Sequence, residues 1–132
     1  MIESLAAAAI NASKWDETTP FINPMCGSGT LAIEAALMSL SKPPALLRNN
    51  FGFMHTKLFD EEKWLLLRDM AVSDLREETA SRIIATDINP RAIKAAKENA
   101  RNAKVEKYID FQVIQIVLYQ LVILMVSLSV IL

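Results

Sequence analysis

The sequence predicts an α/β fold in which helices alternate with the strands of a parallel sheet. Phe21-Ile22 is a short apolar strand signal that leads through two glycines into helically spaced apolar residues between positions 31 and 37. A second strand signal begins at Arg82, ends in the acid Asp87 and precedes another helical pattern. Strands that alternate with helices favour parallel pairing and right-handed crossovers.

The other elements of the first half follow in chain order. The alanine-rich stretch Glu3–Ser13 predicts a first helix, and residues 16–20 form a polar connector that ends in proline. The helix after the glycines is expected to end near Ser41, because Pro43-Pro44 cannot continue it. Residues 42–59 contain prolines, glycine and several aromatic residues, which predicts an ordered loop over apolar surface.

Two more helices and a third strand complete the pattern. Asp60 is a predicted N-cap for a helix to about Glu78, whose apolar residues are expected to be core: Trp64, Leu65, Leu67, Met70, Ala71 and Leu75. Asn89 and Pro90 suit the start of the next helix, with a buried stripe of Ala92, Ile93, Ala96, Ala100 and Ala103. Its outer face carries Arg91, Lys94, Lys97, Arg101 and Lys104, interpreted as a solvated face, with RNA phosphates as the minority alternative. Ile109–Val113 fits a third strand.

Composition limits the classes of function. The 132 residues allow one small domain, and a net charge of -1 gives no global basic field for nucleic acid. Cys26 is the only cysteine, which excludes an internal disulfide framework and a multi-cysteine zinc site and indicates a reducing compartment, the cytoplasm or an organelle interior. His55, the only histidine, is interpreted as structural.

The glycine turn and the acid predict a binding site. Glycine lets a ligand approach the main chain, and the free N–H groups of a helix start carry partial positive charge. Ligands of open parallel sheets bind beyond the carboxyl ends of the strands, where Gly27, Gly29 and Asp87 would meet. Asp87 could accept hydrogen bonds from two ribose hydroxyls, and Ile88 could pack on an adenine. No lysine follows the glycines as a phosphate-binding P-loop requires.

Two kinds of nucleotide enzyme remain open at this point. Residues 27–32 satisfy the G-x-G-x-x-G/A dinucleotide fingerprint, which would suit an oxidoreductase that binds a nicotinamide dinucleotide. In that class the ribose acid lies about 20 residues after the glycines. Asp87 lies 58 positions after Gly29, which disfavours the dinucleotide interpretation.

Asn23–Ala35 (NPMCGSGTLAIEA) and Ala85–Ile93 (ATDINPRAI) carry a family resemblance. They resemble the first two motifs of the THUMP-associated RNA methyltransferases, which include the bacterial 23S ribosomal RNA guanine-N2 methyltransferases of the K/L type and their plant relatives. The resemblance spans about Glu3 to Phe111. It implies a Rossmann-like class I methyltransferase fold, truncated after the third strand, that binds S-adenosylmethionine and acts on RNA. It also implies these cofactor-binding residues: Asn23, Pro24, Met25, Cys26, Gly27, Ser28, Gly29, Thr30, Asp87, Ile88 and Asn89.

The sequence departs from the family in three places. Family members usually have aspartate at the position of Asn23, so a negative charge beside the cofactor's ammonium group is lost. The acid of the third motif is replaced by Gln115. The Asn-Pro-Pro-Tyr-like tetrapeptide that grips the target amine is absent, so no catalytic residue is assigned and the chain is expected to be inactive alone. No metal site is expected from the sequence.

The tail is apolar. Residues 111–132 contain no charged residue, and a membrane helix, a fourth strand and a shifted reading frame or truncated gene model are the alternatives. The last is preferred, which divides the chain into a partial methyltransferase domain at residues 1–113 and a tail of doubtful origin at 114–132. If the tail is instead a membrane helix, a third interpretation of function is a membrane-anchored protein without catalytic activity, beside the methyltransferase and the oxidoreductase.

Overall fold

The computed structural model describes residues 2–114. The helices are α1 (Glu3–Ser13), α2 (Thr30–Ser39), α3 (Glu61–Ser73) and α4 (Pro90–Asn102), and the strands are β1 (Phe21–Pro24), β2 (Ile83–Asp87) and β3 (Ile109–Val113). Short 3-10 helices span Pro44–Leu47, Gly52–His55 and Glu106–Tyr108. No helix among the described residues has both the length and the apolar character that a membrane span requires. The predictions for Gln115 and the rest of the tail lie outside the described residues.

The three strands form one parallel sheet in the order β1-β2-β3. Phe21 is in register with Ile83, which is in register with Ile109. The predicted parallel α/β arrangement is therefore confirmed, and the carboxyl ends of the strands lie along one edge of the sheet. Pairing continues one residue past β3, because the Ile114 N–H donates to the Asp87 carbonyl at 3.1 Å.

Small side chains bring α2 and α4 close to the sheet. Helix α2 contacts β1 and β2, α4 contacts β2 and β3, and the two helices touch each other, so they share one face of the sheet. The fully buried residues at these contacts are mostly alanines, which allow close packing: Ala32, Ala35, Ala36, Ala85, Ala96 and Ala100. Within the predicted stripe of α4, Ala92 and Ala103 are only partly buried.

Helix α3 does not have the predicted core role. None of its residues is buried, and Leu65, Leu66 and Leu67 remain 53%, 61% and 59% exposed. Three consecutive leucines point around the helix rather than along one face, and the main contact of α3 is with the 3-10 helix Pro44–Leu47. The helix also ends at Ser73, not near Glu78, since the Arg76 N–H turns back to the Leu40 carbonyl at 2.9 Å.

Two further details concern β1 and the end of α2. The strand Phe21-Ile22 is only partly buried, because Phe21 packs on Trp15 at 5.0 Å while Ile22 is 39% exposed. In a strand successive side chains alternate between faces, so Asn23 rather than Ile22 enters the core, at 7% exposure. Helix α2 ends at Ser39, two residues before the expected end.

The loop between α2 and α3 is ordered, as predicted, and stacks aromatic rings on Trp64. Phe51 and Phe53 lie edge-on to Trp64, with ring centroids 5.5 and 5.1 Å away. His55 Nε2 lies 2.9 Å from the Asn50 amide oxygen. The histidine therefore has a structural partner within its own loop, which agrees with its structural interpretation.

Candidate functional site

The turn between β1 and α2 is strongly bent. Met25, Gly27 and Gly29 all have positive φ, at 57°, 56° and 84°. The Cys26 N–H donates to the Thr86 carbonyl at 2.8 Å, and the Gly29 N–H donates to the Cys26 carbonyl at 2.9 Å. These bonds tie the turn to the carboxyl end of β2, where the second predicted motif begins.

Asp87 points at the turn. Its Oδ2 accepts the Gly27 N–H at 3.0 Å across 60 residues of sequence, and its Oδ1 accepts the Asn89 N–H at 2.9 Å. The structure therefore joins the two predicted motifs through one carboxylate. A carboxylate has about four acceptor positions, so two remain for hydroxyl donors of a ligand.

The start of α2 forms the other wall of the site. Gly29 is the N-cap and no side chain caps the helix, so the first N–H groups of Thr30 and the residues after it are available to an acceptor. Ser28 Oγ lies 3.3 Å from Thr30 Oγ1 beside them. A helix start with free N–H groups favours negative or polar ligand atoms.

Helix α4 holds the turn from behind. A Cβ added to Gly29 would lie 2.9 Å from the Ala96 Cβ, so only glycine fits between the turn and α4. The Asn99 amide Nδ2 donates to the Ser28 carbonyl at 3.0 Å. Sequence analysis missed both contacts, because no local signal in α4 indicates which of its residues meets the turn.

The predicted site residues divide into an open and a buried group. Met25 and Ile88 are 69% and 63% exposed at the edge of the sheet, and Asn89 caps α4. Asn23 is buried, and its amide Nδ2 has no hydrogen-bond partner among the described residues. An orphaned buried donor at a strand end is a feature that a polar ligand group would satisfy.

Burial and the charge of Asp87 both act on the Cys26 thiol in the turn. Burial raises the pKa of the Cys26 thiol above its ordinary value, and the negative charge of Asp87 raises it further. Cys26 is therefore a neutral thiol near pH 7, which suits a packing role. No group of three or more metal-ligating side chains occurs within residues 2–114.

The space over the turn suits a nucleoside group. A Cβ added to Gly27 would meet nothing within 4 Å, so the main chain there is open to a ligand. The donor set around that space consists of an open carboxylate, free N–H groups and the exposed apolar side chain of Ile88. These are the groups that a ribose, a polar amino-acid end and an adenine would require.

A cavity of about 900 Å³ lies beside the turn, between α1, α2, α4 and the loop after α2. It reaches Ser28 and Thr30 but not Asp87. Arg48 and Glu34 are among the residues that line it. Burial raises the pKa of Glu34, and the charge of Glu3 adds to the effect.

Known proteins resemble most of this chain. A family model described as "RMKL-like, methyltransferase domain" matches residues 1–124. The Ribosomal RNA large subunit methyltransferase K/L of Aliivibrio fischeri strain MJ11 is 43% identical over 114 residues, which cover 84% of this chain and 16% of that protein. The protein of strain ATCC 700601 / ES114 gives the same figures. The chain thus spans a small part of these relatives.

Solved structures share the fold. SMU.472, described as a methyltransferase and solved in complex with SAH, superposes with a TM-score of 0.77 at 31% identity, over 83% of this chain and 29% of that one. A protein described as an N6-adenine-specific DNA methylase from Listeria monocytogenes str. 4b F2365 gives 0.79 at 32% identity, over 87% and 30%. These matches confirm the predicted methyltransferase-type α/β fold, of which the chain holds three strands within its described residues. By sequence and by structure, the chain belongs to the RMKL-like methyltransferase domain family.

Proposed function

We propose that this chain is the S-adenosylmethionine-binding part of the catalytic domain of an RNA methyltransferase that acts on a guanine N2 amine of ribosomal RNA. The observation that carries the proposal is the Asp87 carboxylate, which accepts the Gly27 N–H and keeps two acceptor positions open. The K/L-type relatives and the SAH complex of SMU.472 support the cofactor and the RNA substrate.

Asp87 and its neighbours would hold the nucleoside half of the cofactor. The carboxylate accepts the two ribose hydroxyls, while the exposed Ile88 packs on the adenine face. Asn89 supports the carboxylate through its N–H, at 2.9 Å from Oδ1. Since both Asp87 oxygens are already oriented by backbone donors, little reorganisation is needed when the ribose arrives.

The turn would hold the methionine half. The residues proposed to line it are Asn23, Pro24, Met25, Cys26, Gly27, Ser28, Gly29 and Thr30. Among these, Asn23 offers a donor where the family usually has a carboxylate. An amide N–H suits the carboxylate of the methionine end, whereas it does not neutralise the ammonium group. We therefore expect weaker binding than in relatives with aspartate.

The cofactor, when bound, supplies an electrophilic methyl group on a sulfonium. The residues of this chain bind and orient it, and the sequence contains no tetrapeptide that could position a target amine. We propose that the chain by itself binds cofactor without transferring the methyl group. The single reduced cysteine fits a reducing compartment, the cytoplasm or an organelle interior.

One relative supports DNA as an alternative substrate. The Listeria monocytogenes protein is described as a DNA adenine methylase, and it shares this half of the fold at 32% identity. The cofactor half is thus common to relatives described with different substrates, and RNA is preferred because K/L-type relatives are 43% identical. The dinucleotide oxidoreductase alternative has no support among the relatives described above.

Calorimetric titration of the full chain with S-adenosylmethionine, SAH and NAD tests the proposal. The first two should bind and NAD should bind at least ten-fold more weakly. Asp87→Asn should weaken S-adenosylmethionine binding at least ten-fold, because hydrogen bonds to a charged group contribute about 1.5–3 kcal/mol each. The matched control Asp69→Ala removes an exposed carboxylate of α3 and should leave affinity unchanged.

The variants separate binding from folding. In Asp87→Asn the amide oxygen can still accept a hydrogen bond from the Gly27 or the Asn89 N–H. The unfolding of this variant by urea is measured in parallel. Equal affinity of the wild type and Asp87→Asn for S-adenosylmethionine, with both folded, would refute the assignment of Asp87. Tighter binding of NAD than of S-adenosylmethionine would refute the methyltransferase proposal as a whole.

A further inference from the structure

Positive charge is concentrated on one part of the chain. Between Arg91 and Lys107 the sequence has six cations and two acids, a local net charge of +4 in a chain whose net charge is -1. The rest of the chain is therefore acidic overall. Helix α3 shows the contrast, since its two cations are mixed with three acids.

The cations of α4 share a side. At about 100° per residue, the positions of Arg91, Lys94 and Lys97 fall within an arc of about 120°. Lys104 follows just after the end of the helix at Asn102, with a φ of 59°. All four side chains are exposed. The buried residues Ile93, Ala96 and Ala100 lie on the adjoining face of the helix. We call these four cations the basic stripe.

The basic stripe is not neutralised within the described residues. Four ion pairs occur there, and none of them includes a member of the stripe. The neighbouring Arg101 is already held by Glu106 through two bonds of 2.9 Å, so it is left out of the stripe. Glu98, the acid on α4, forms no ion pair in the same part of the chain.

More cations lie near the C-terminal end of α4. Lys42 donates from Nζ to the Ala103 carbonyl at 3.1 Å, and burial, followed by the charge of Lys104, lowers its pKa. Lys107 lies over the Tyr108 ring at 4.6 Å. Glu98 falls within the same arc of α4 as the cations, so this face carries an excess of positive charge rather than charge of one sign only.

The stripe starts at the candidate cofactor site. Arg91 follows Asp87 by four residues, and α4 is fixed to the glycine turn by the Asn99 amide. From Arg91 to its end at Asn102 the helix rises about 17 Å.

We propose that the basic stripe binds the phosphate backbone of a single-stranded RNA segment that leads to the cofactor site. The inference rests on the proposed function, since it gives the RNA substrate a path beside the bound cofactor. Single-stranded RNA is the occupant of choice, because an enzyme reaches a base amine only when the base is unpaired or extruded. The contact carries no sequence preference, because phosphates are alike along the strand.

Salt dependence of RNA binding tests the proposal. The full chain is titrated with a labelled 20-nucleotide single-stranded RNA of mixed sequence between 50 and 200 mM salt. Four phosphate contacts predict that a plot of the logarithm of the association constant against the logarithm of the salt concentration has a slope of about -3. The affinity should therefore fall about 50-fold over this range. Lys94→Ala with Lys97→Ala should halve the slope, so that the loss falls to about seven-fold.

The control pair removes the same charge elsewhere. Lys57→Ala with Lys63→Ala takes away two exposed lysines outside α4 and should leave the slope unchanged. Lys57 lies in a turn outside the helices, and Lys63 pairs with the exposed Asp60 at 3.0 Å. Alanine is a strong helix former, so the substitutions at Lys63, Lys94 and Lys97 should not unfold α3 or α4. Equal losses in both pairs, a wild-type slope near zero, or equally tight binding of poly-glutamate would overturn the proposal.

Titration with S-adenosylmethionine separates the two proposals. The Lys94→Ala and Lys97→Ala variant should bind the cofactor as the wild type does, because neither residue belongs to the candidate site. Cofactor binding with an unchanged RNA slope in the stripe variant refutes only the stripe. RNA binding that depends on the stripe, without cofactor binding by the wild type, refutes only the proposed function.

Discussion

The two glycines of the turn should respond differently to alanine. A Cβ on Gly29 would lie 2.9 Å from the Ala96 Cβ and 3.3 Å from its Cα, at a φ of 84°. The left-handed backbone costs a residue with a side chain about 1–2 kcal/mol, and overpacking a core contact costs about 1–3 kcal/mol. Gly29→Ala should therefore lower the free energy of unfolding by about 2–5 kcal/mol.

Gly27→Ala is the matched comparison. Gly27 has a φ of 56°, and a Cβ added there meets nothing within 4 Å. The substitution should therefore cost only about 1–2 kcal/mol, from placing alanine in a left-handed backbone conformation. The smaller entropy of an unfolded chain with alanine affects both variants alike and cancels in their difference. The added methyl group does enter the space over the turn. We therefore expect Gly27→Ala to reduce the free energy of S-adenosylmethionine binding by more than it reduces the free energy of unfolding.

Urea unfolding followed by tryptophan fluorescence measures both variants. Trp15 reports on β1, which it contacts through Phe21, and the midpoint and slope of the transition give the free energy of unfolding. Equal destabilisation by the two substitutions would refute the close contact between Gly29 and α4. Unchanged cofactor affinity in a folded Gly27→Ala variant would refute the position proposed for the ligand.

Three further predictions concern single groups. Because burial raises the pKa of Glu34, the folded state binds the Glu34 proton more tightly than the unfolded state does. The free energy of unfolding therefore falls as the pH rises and Glu34 loses its proton. Glu34→Gln should raise the melting temperature more at pH 7 than at pH 4. Cys26 should react with iodoacetamide more slowly than free cysteine at pH 8, and Asp87→Asn should speed the reaction by removing a charge that raises the thiol pKa. Ser39, fully buried, accepts the Ala80 N–H at 3.1 Å, so Ser39→Ala should cost about 1–3 kcal/mol in urea unfolding, and a cost as small as that of the exposed Ser73→Ala would contradict its role.

Local signals made the backbone geometry of the candidate site predictable from the sequence. Gly27, Gly29 and the Asn89-Pro90 cap each restrict the backbone in a way that sequence alone reveals. Strand ends of a parallel sheet share an edge, so the meeting of Asp87 with the turn followed from the topology. The hydrogen bond itself, to the Gly27 N–H, needed the structure.

Contacts between distant elements were not predictable. The bond from Asn99 to Ser28 depends on how α4 rotates against the turn, and no residue pattern encodes that angle. The predicted core role of α3 was wrong for a related reason. Its leucines match an apolar pattern, but burial also requires a partner surface, and these leucines remain exposed. Periodicity indicates which residues could be buried, and packing decides which of them are.

The exposure of α3 has a consequence for how the chain opens. Thirteen residues form a marginal helix in water when packing contributes little. Helix α3 is held by the Asp60 cap, the neighbouring 3-10 helix and the packing of Phe51 and Phe53 on Trp64. Its amide hydrogens should exchange with deuterium well before those of α4, which is anchored by three buried side chains. Trypsin should accordingly cut first at Lys63 or Arg68, while the strands that carry the glycine turn and Asp87 stay paired.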